Sequence, residues 1–501
     1  MNRNRWGRVR SQPFILALGL LVAAACQQDT NPVAPVETEA SRLHPSSTAT
    51  IDPALQDALA GASDTDQLEV LVTFDPGAVS SADLATAVAE LGAGVVAFKH
   101  LPVIAALATP GETDQIRQID GVRGIYLNEQ LEYHLFESTE SIRADLVHEK
   151  LGFTGRGIGV AILDSGIDGL YHPDVAYPTR TVQNVKYIAS STDLYADFDD
   201  ELGGVEPKLG AELFIENLAN SETSVGHGTH VAGIAAGDGS ASSAGIYEGV
   251  APEANLVGIG AGDILFIFWV LAGFDYVLDN QEEYNIKVVN NSWGSRGSWD
   301  PEHPINLATQ AVHGAGITVV FSAGNSGPGQ DTLNRYSVAP WVIGVAAGCK
   351  LVDQDPTGSA VHCEDQRGLG REPVLADFSS RGVPGDPLLH PDIMAPGVHV
   401  VSARASTGTV MNTLDLNHDA RICNISLQHE AYYTCASGTS MAAPHVAGVV
   451  ALMQEAAGGT LSPDKVLDIL VKSAESIPDY EVWEIGAGEV DAYRAVRRAR
   501  R

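Results

Sequence analysis

GVAILDSGID, residues 159–168, carries five mostly apolar residues into an aspartate, a serine and a glycine. An unbroken apolar run bounded by turn formers reads as a strand covered on both faces, as in a parallel sheet, rather than as a half-exposed strand. Similar runs recur at Leu256–Ile259, Val288–Asn291, Ile317–Ser322 and Val342–Ala346, with Gly/Ala-rich helical stretches between them. The pattern predicts an α/β domain over residues 135–501, its mostly parallel sheet covered by helices on both faces. Ligands of such sheets bind beyond the carboxyl ends of the strands, where Asp164 stands. Ile264–Gly273 is too short to cross a bilayer and reads as a buried helix.

Upstream, residues 67–134 form a second pattern. Leu68, Val70, Val72 and Phe74 alternate as in a strand, and Leu84, Val88 and Leu91 share a helical face. Strands at Val95–Phe98 and Val103–Leu107, a helix opened by Pro110 and a last strand at Val122–Leu127 complete a small ferredoxin-like α+β module. Residues 26–66, rich in Pro, Ser, Thr, Ala and Asp, read as a flexible linker.

Residues 1–25 read as a signal peptide: a basic region with Arg3, Arg5, Arg8 and Arg10, an apolar stretch Phe14–Val22, and Ala23-Ala24-Ala25 before the cut. Export follows, to the extracellular space or the cell envelope. LVAAAC, residues 21–26, leaves two readings open. One is a lipobox with Cys26 lipidated, although Ala23 stands where a leucine is usual; the other is ordinary cleavage at Ala-x-Ala. The lipid would be the chain's only membrane contact. Without Cys26, Cys349, Cys363, Cys423 and Cys435 form an even set in an oxidising compartment. Three pairings exist, and short loops favour Cys349 with Cys363 and Cys423 with Cys435. Neither spacing is that of a zinc site. A formal net charge of −33 would repel phosphate backbones, which argues against a nucleic-acid partner. Solubility accounts for most of these carboxylates; structural Ca²⁺ is the other use, and no residues single themselves out as its ligands.

Acyl transfer from a peptide needs a nucleophile, a base, a group that orients the base, and donors for the oxyanion. Asp164 suits the orienting role, although alone it would be a turn residue. GHGTHVAGIAAG, residues 226–237, places His227 between two glycines that leave its ring open, with His230 as a packing residue. ASGTSMAAPHVAGVVALM, residues 436–453, sets Ser440 at the start of an apolar helix, and Pro444 is expected in that helix's first turn. Alone, Ser440 would be an ordinary N-cap. FSAGNSGP, residues 321–328, offers the Asn325 amide as an oxyanion donor beside the Ser440 N–H.

With these motifs in the order Asp, His, Ser, the chain resembles the subtilisin family over about Ser141–Val496. The resemblance implies a serine endopeptidase with Asp164, His227 and Ser440 as its triad, acting on proteins or peptides without a cofactor in the chemistry. VVNNSWG, residues 288–294, matches the family's edge strand, so Ser292, Trp293 and Gly294 are expected to pair with substrate backbone, and Trp293 hints at an apolar subsite. DFSSRG and HPDIMAPG match structural segments of the family. Residues 67–134 resemble the inhibitory prodomain of subtilases, an intramolecular partner with Leu131–Leu135 as the tail that lies in the cleft until self-cleavage. The stretch between His227 and Ser440 is longer than in compact members, with the excess expected in loops bearing Cys349–Cys363 and Met411–Tyr433. A non-catalytic subtilase-fold binding protein of the envelope is the alternative, and an esterase would share the same site.

Overall fold

The computed structural model describes residues 49–128, 130–133, 140–188, 208–209, 213–242, 245–263, 265–349, 374–407, 409–414, 423 and 425–501. Cys26 and Cys363 lie outside these residues, as do the expected signal peptide and His134 and Leu135 of the expected tail Leu131–Leu135.

The N-terminal module is built from β1 (Thr50–Ile51), α1 (Pro53–Gly61), β2 (Leu68–Phe74), α2 (Ser81–Glu90), β3 (Gly94–Ala97), β4 (Val103–Ala108), α3 (Pro110–Ile116) and β5 (Val122–Leu127). Its antiparallel order β5-β2-β4-β3 is the split arrangement read from the sequence. Pro110 does open α3, whose start is fixed by a capping box between Thr109 and Glu112. The linker expected over residues 26–66 is shorter than read, because β1 pairs with β5 and α1 packs Leu55 into the module's core. Asp52 caps α1 by accepting from the Leu55 N–H at 2.7 Å, and Pro53 sits at its first position.

After β6 (Gln130–Tyr133) and α4 (Ala144–Leu151), the large domain runs through β7 (Gly159–Asp164), β8 (Thr181–Tyr187), β9 (Lys208–Leu209), β10 (Phe214–Ile215), α5 (His227–Ala236), β11 (Asn255–Gly260), β12 (Leu265–Phe266), α6 (Ile267–Asp279), β13 (Ile286–Asn291) and β14 (Trp293–Gly294). It continues through α7 (Pro304–Gly314), β15 (Thr318–Ser322), β16 (Val342–Cys349), β17 (Val374–Leu375), β18 (Ile393–Pro396), β19 (Val400–Ala403), α8 (Thr409–Leu414), β20 (Tyr433–Ala436), α9 (Thr439–Ala456), α10 (Pro463–Ser473), α11 (Val482–Ile485) and α12 (Ala492–Ala499). Strands β8, β11, β7, β13, β15, β16 and β18 are parallel neighbours in that order, with β10 and β17 antiparallel at the margins. Every described position of β7 is buried, as its unbroken apolar run requires. One face packs α5, α9, α10 and α12. The other packs α6 and α7, and onto these the N-terminal module lays Leu71, Val96, Phe98 and Tyr126. The buried helix expected at Ile264–Gly273 is α6, beginning at Ile267.

Glu489 lies between β18 and α12, where burial, then the charge of Glu475, pushes its carboxyl up to about 8. Unfolded, it would ionise near 4.5. Between these values the unfolded chain holds fewer protons, so stability falls as pH rises through this window. Glu489→Gln removes the buried charge and should raise Tm at pH 9, by the equivalent of ~2 kcal/mol, while leaving Tm at pH 4 nearly unchanged. Thermal unfolding at the two pH values checks this.

Candidate active site

The site lies at the carboxyl edge of the parallel sheet, where β7, β13 and β15 end. Asp164 ends β7 and is fully buried. Its Oδ1 accepts from the Ser165 N–H at 2.7 Å and bonds His227 Nδ1 at 2.7 Å. His227, also fully buried, opens α5 directly after Gly226, which takes the left-handed conformation at φ 82°. The two arms approach closely because Gly228 has no side chain: a Cβ there would stand 2.4 Å from the Gly166 carbonyl oxygen.

Ser165 ties the same arms together. Its hydroxyl accepts from the Gly228 N–H at 2.9 Å and donates to Glu222 Oε2 at 2.6 Å. Glu222 Oε1 accepts from the N–H groups of Thr223 and Val225 at 3.0 and 3.1 Å. Burial pushes the Glu222 carboxyl above its ordinary range, opposed by the hydrogen bond from Ser165. The sequence reading passed over Glu222, one acidic residue in a polar loop. His230 packs inside as expected, where burial drives its pKa down to about 3.

Ser440 occupies the first turn of α9 and is fully buried in the full chain. Pro444 stands inside α9 rather than in its first turn, which corrects the expectation. A proline there leaves the Ser440 carbonyl without its helical donor. The Ser292 hydroxyl takes that carbonyl at 2.7 Å, while the Ser440 hydroxyl donates to the Ser292 carbonyl at 2.8 Å. This reciprocal pair fixes the start of α9 to the end of β13.

Asn325, just past β15, has its orientation set by Thr439, which the sequence reading also missed. Asn325 Oδ1 accepts from the Thr439 N–H at 3.0 Å and from its hydroxyl at 2.8 Å. The Thr439 hydroxyl in turn accepts from the Gly324 N–H at 3.0 Å. With the oxygen so engaged, the amide's donor side is the one free to turn elsewhere.

Trp293 and Gly294 form β14, which pairs antiparallel with β6, Trp293 opposite Tyr133 and Gly294 opposite Glu132. On its other side β6 pairs with β12. The end of the N-terminal module therefore lies as a middle strand, running along β14 towards Ser292. The Trp293 side chain does not face this groove: it is fully buried, donates to the Leu163 carbonyl at 2.8 Å and packs edge-on to Phe321. The apolar subsite expected of it is thus ruled out, because the indole lies in the core. Gly294 is required because Asn334 Nδ2 would lie 2.2 Å from a Cβ there.

Cys423 and Cys435 form a disulfide as expected, with Cα atoms 6.3 Å apart. Cys349, also disulfide-bonded, ends β16. The long loop before β20 borders the histidine arm: the N–H groups of Val410 and Met411 donate to the carbonyls of Ser224 and Val225 at 3.4 and 3.1 Å. Among the described residues no group of three or more His, Cys, Asp or Glu stands together as metal ligands would, and no helix is long and apolar enough to cross a membrane.

Residues 155–492 match the profile of the Subtilase family. The chain belongs to the subtilase family. It is 31% identical over 414 residues to serine protease AprX of Bacillus subtilis (strain 168), covering 80% of each chain. It is 27% identical over 389 residues to subtilisin E of the same organism, covering 75% of this chain and 77% of that one. The crystal structure of fervidolysin from Fervidobacterium pennivorans, a keratinolytic enzyme related to subtilisin, aligns with a TM-score of 0.59 at 20% identity, over 90% of this chain and 63% of the other. That last likeness is one of fold. As a subtilase the chain is a serine peptidase whose substrates are proteins or peptides.

Proposed function

We propose that this subtilase is an exported serine endopeptidase, made as a proenzyme that cuts itself, with Asp164, His227 and Ser440 as its triad. The observation that carries the catalytic reading is the 2.7 Å bond from His227 to Asp164, buried from water at the sheet edge that also bears Ser440. In the reaction, Ser440 Oγ attacks the peptide carbonyl as its proton passes to His227 Nε2. The Ser440 hydroxyl first has to turn away from the Ser292 carbonyl. Asp164 accepts from Nδ1–H and stabilises the imidazolium. The oxyanion is held by the Asn325 amide and by the Ser440 N–H, one of the donors that a helix's first turn leaves unpaired. The imidazolium returns the proton to the leaving amine, and water, deprotonated by His227, releases the acyl group. Activity should fall on the acid side, where the imidazole already carries the proton it has to accept.

Latency rests on β6. It fills the groove between β12 and β14 with main-chain pairing, as a substrate segment would, and it runs towards Ser292 and Ser440. The cut is expected beyond Tyr133, close to the end of Leu131–Leu135. N-terminal sequencing and mass analysis of the purified chain test this: a new N-terminus near residue 135 in wild type, absent from Ser440→Ala, supports self-processing, and an identical cut in both contradicts it. The same mass analysis decides between a lipidated Cys26 and ordinary signal cleavage. Asn325→Ala should lower kcat by roughly 10²–10³ with little change in KM, because its contact forms only as the oxyanion develops. Steady-state kinetics on a peptide substrate check it.

A further inference from the structure

We propose that Glu222 is a positioning residue for His227, acting through Ser165 to lock the histidine arm onto the aspartate arm. This rests on the catalytic reading above and adds a residue to it. Glu222 is 2% exposed, yet its carboxylate is fully engaged: one oxygen takes the Ser165 hydroxyl and the other takes the N–H groups of Thr223 and Val225. Those amides belong to the turn that leads into His227. Ser165 follows Asp164, gives its N–H to Asp164 Oδ1, and receives the N–H of Gly228, next after His227. Glu222 therefore closes a ring of hydrogen bonds that fixes the turn before His227, the residue after it, and the carboxylate its ring must meet.

A neutral surface loop would not bury a carboxylate without a return, since stripping its water costs several kcal/mol. Glu222 feels Asp164 from the end of β7 and Lys186 from β8. Lys186 Nζ donates to the Ser165 carbonyl at 2.9 Å and to the Thr223 hydroxyl at 3.0 Å, and pairs with Asp263, beyond β11, at 3.4 Å. His227 faces this cluster from α5. Within it Glu222 acts through Ser165: by holding the histidine arm against Asp164 it keeps the carboxylate where it favours the charged ring that the reaction creates.

Glutamine cannot stand in. With its amide nitrogen towards Ser165, the hydroxyl would receive two donors and its own proton would lose its partner. With the nitrogen towards Thr223 and Val225, donors would face donors.

The test uses the full chain carrying Ser440→Ala, which folds around the same ring, with ¹⁵N-labelled histidine. An NMR titration of His227 is compared with and without Glu222→Gln. The imidazole should titrate about one unit lower in Glu222→Gln, and its Nδ1–H resonance should broaden. Ser165→Ala, which cuts the link but leaves the Glu222 turn its backbone bonds, should broaden the same resonance. The double variant should move the ring no further than the larger single change. In the chain with Ser440 intact, Glu222→Gln should cost roughly 10–100-fold in kcat with KM changed less than about twofold. An unmoved His227 titration and Nδ1–H resonance in both variants would overturn the proposal, and so would a lower Tm with no change at His227. The titration does not depend on peptide hydrolysis, so a failure here is distinct from a failure of the catalytic reading.

Discussion

Ser440→Ala is expected to lower kcat/KM on a peptide substrate by on the order of 10⁶, the scale that follows removal of a subtilase nucleophile. Little else should change. The side chain donates to the Ser292 carbonyl, and the reverse bond, from the Ser292 hydroxyl to the Ser440 carbonyl, survives the substitution. The first turn of α9 should keep its place, and Tm should move by about 1 kcal/mol or less in equivalent stability. Kinetics and thermal unfolding of the same preparation separate loss of the nucleophile from loss of the fold.

Asp164→Asn should cost about 10⁴ in kcat at neutral pH. The physical reason lies in the direction of one proton. Asp164 can only accept, so the buried His227 ring carries its hydrogen on Nδ1 and offers Nε2 as the base. Asparagine can turn its amide to donate to Nδ1. That tautomer places the hydrogen on Nε2, where it cannot take the serine proton. A kcat within tenfold of wild type would remove Asp164 from the triad.

Much of the architecture was legible in the sequence. The parallel strands are buried on both faces, so their apolar runs have no polar interruptions, and the residues that end them fall at one sheet edge by topology alone. Asp164 and Asn325 become candidates for that reason, His227 and Ser440 from the glycines and small residues around them, and Ser292 from the resemblance of VVNNSWG to the family's edge strand. What stayed hidden depends on contacts distant in sequence. Glu222 reads as a solvated acid until Ser165 and the turn amides converge on it. Thr439 is one more small polar residue until it turns the Asn325 amide. Trp293 is expected in a subsite because its segment resembles the family's substrate-pairing edge strand, yet in a strand successive side chains point to opposite faces, and this one points inward. Pro444 was put too early because its missing N–H was expected at an unpaired position; the Ser292 hydroxyl supplies the carbonyl it leaves bare. The helix α1 had a legible start in Asp52-Pro53, but its few apolar residues gain their stability from the module's distant strand β5.

The claim that this subtilase hydrolyses peptides through Ser440 is tested most directly by a fluorophosphonate probe, which reacts only with an activated serine, applied to the protein purified from expression of the full chain and followed by mass mapping. One probe adduct is expected on the peptide that contains Ser440, abolished in Ser440→Ala. A wild type that stays unlabelled, or a Ser440→Ala chain that labels equally, would contradict it and favour a binding protein on the same fold.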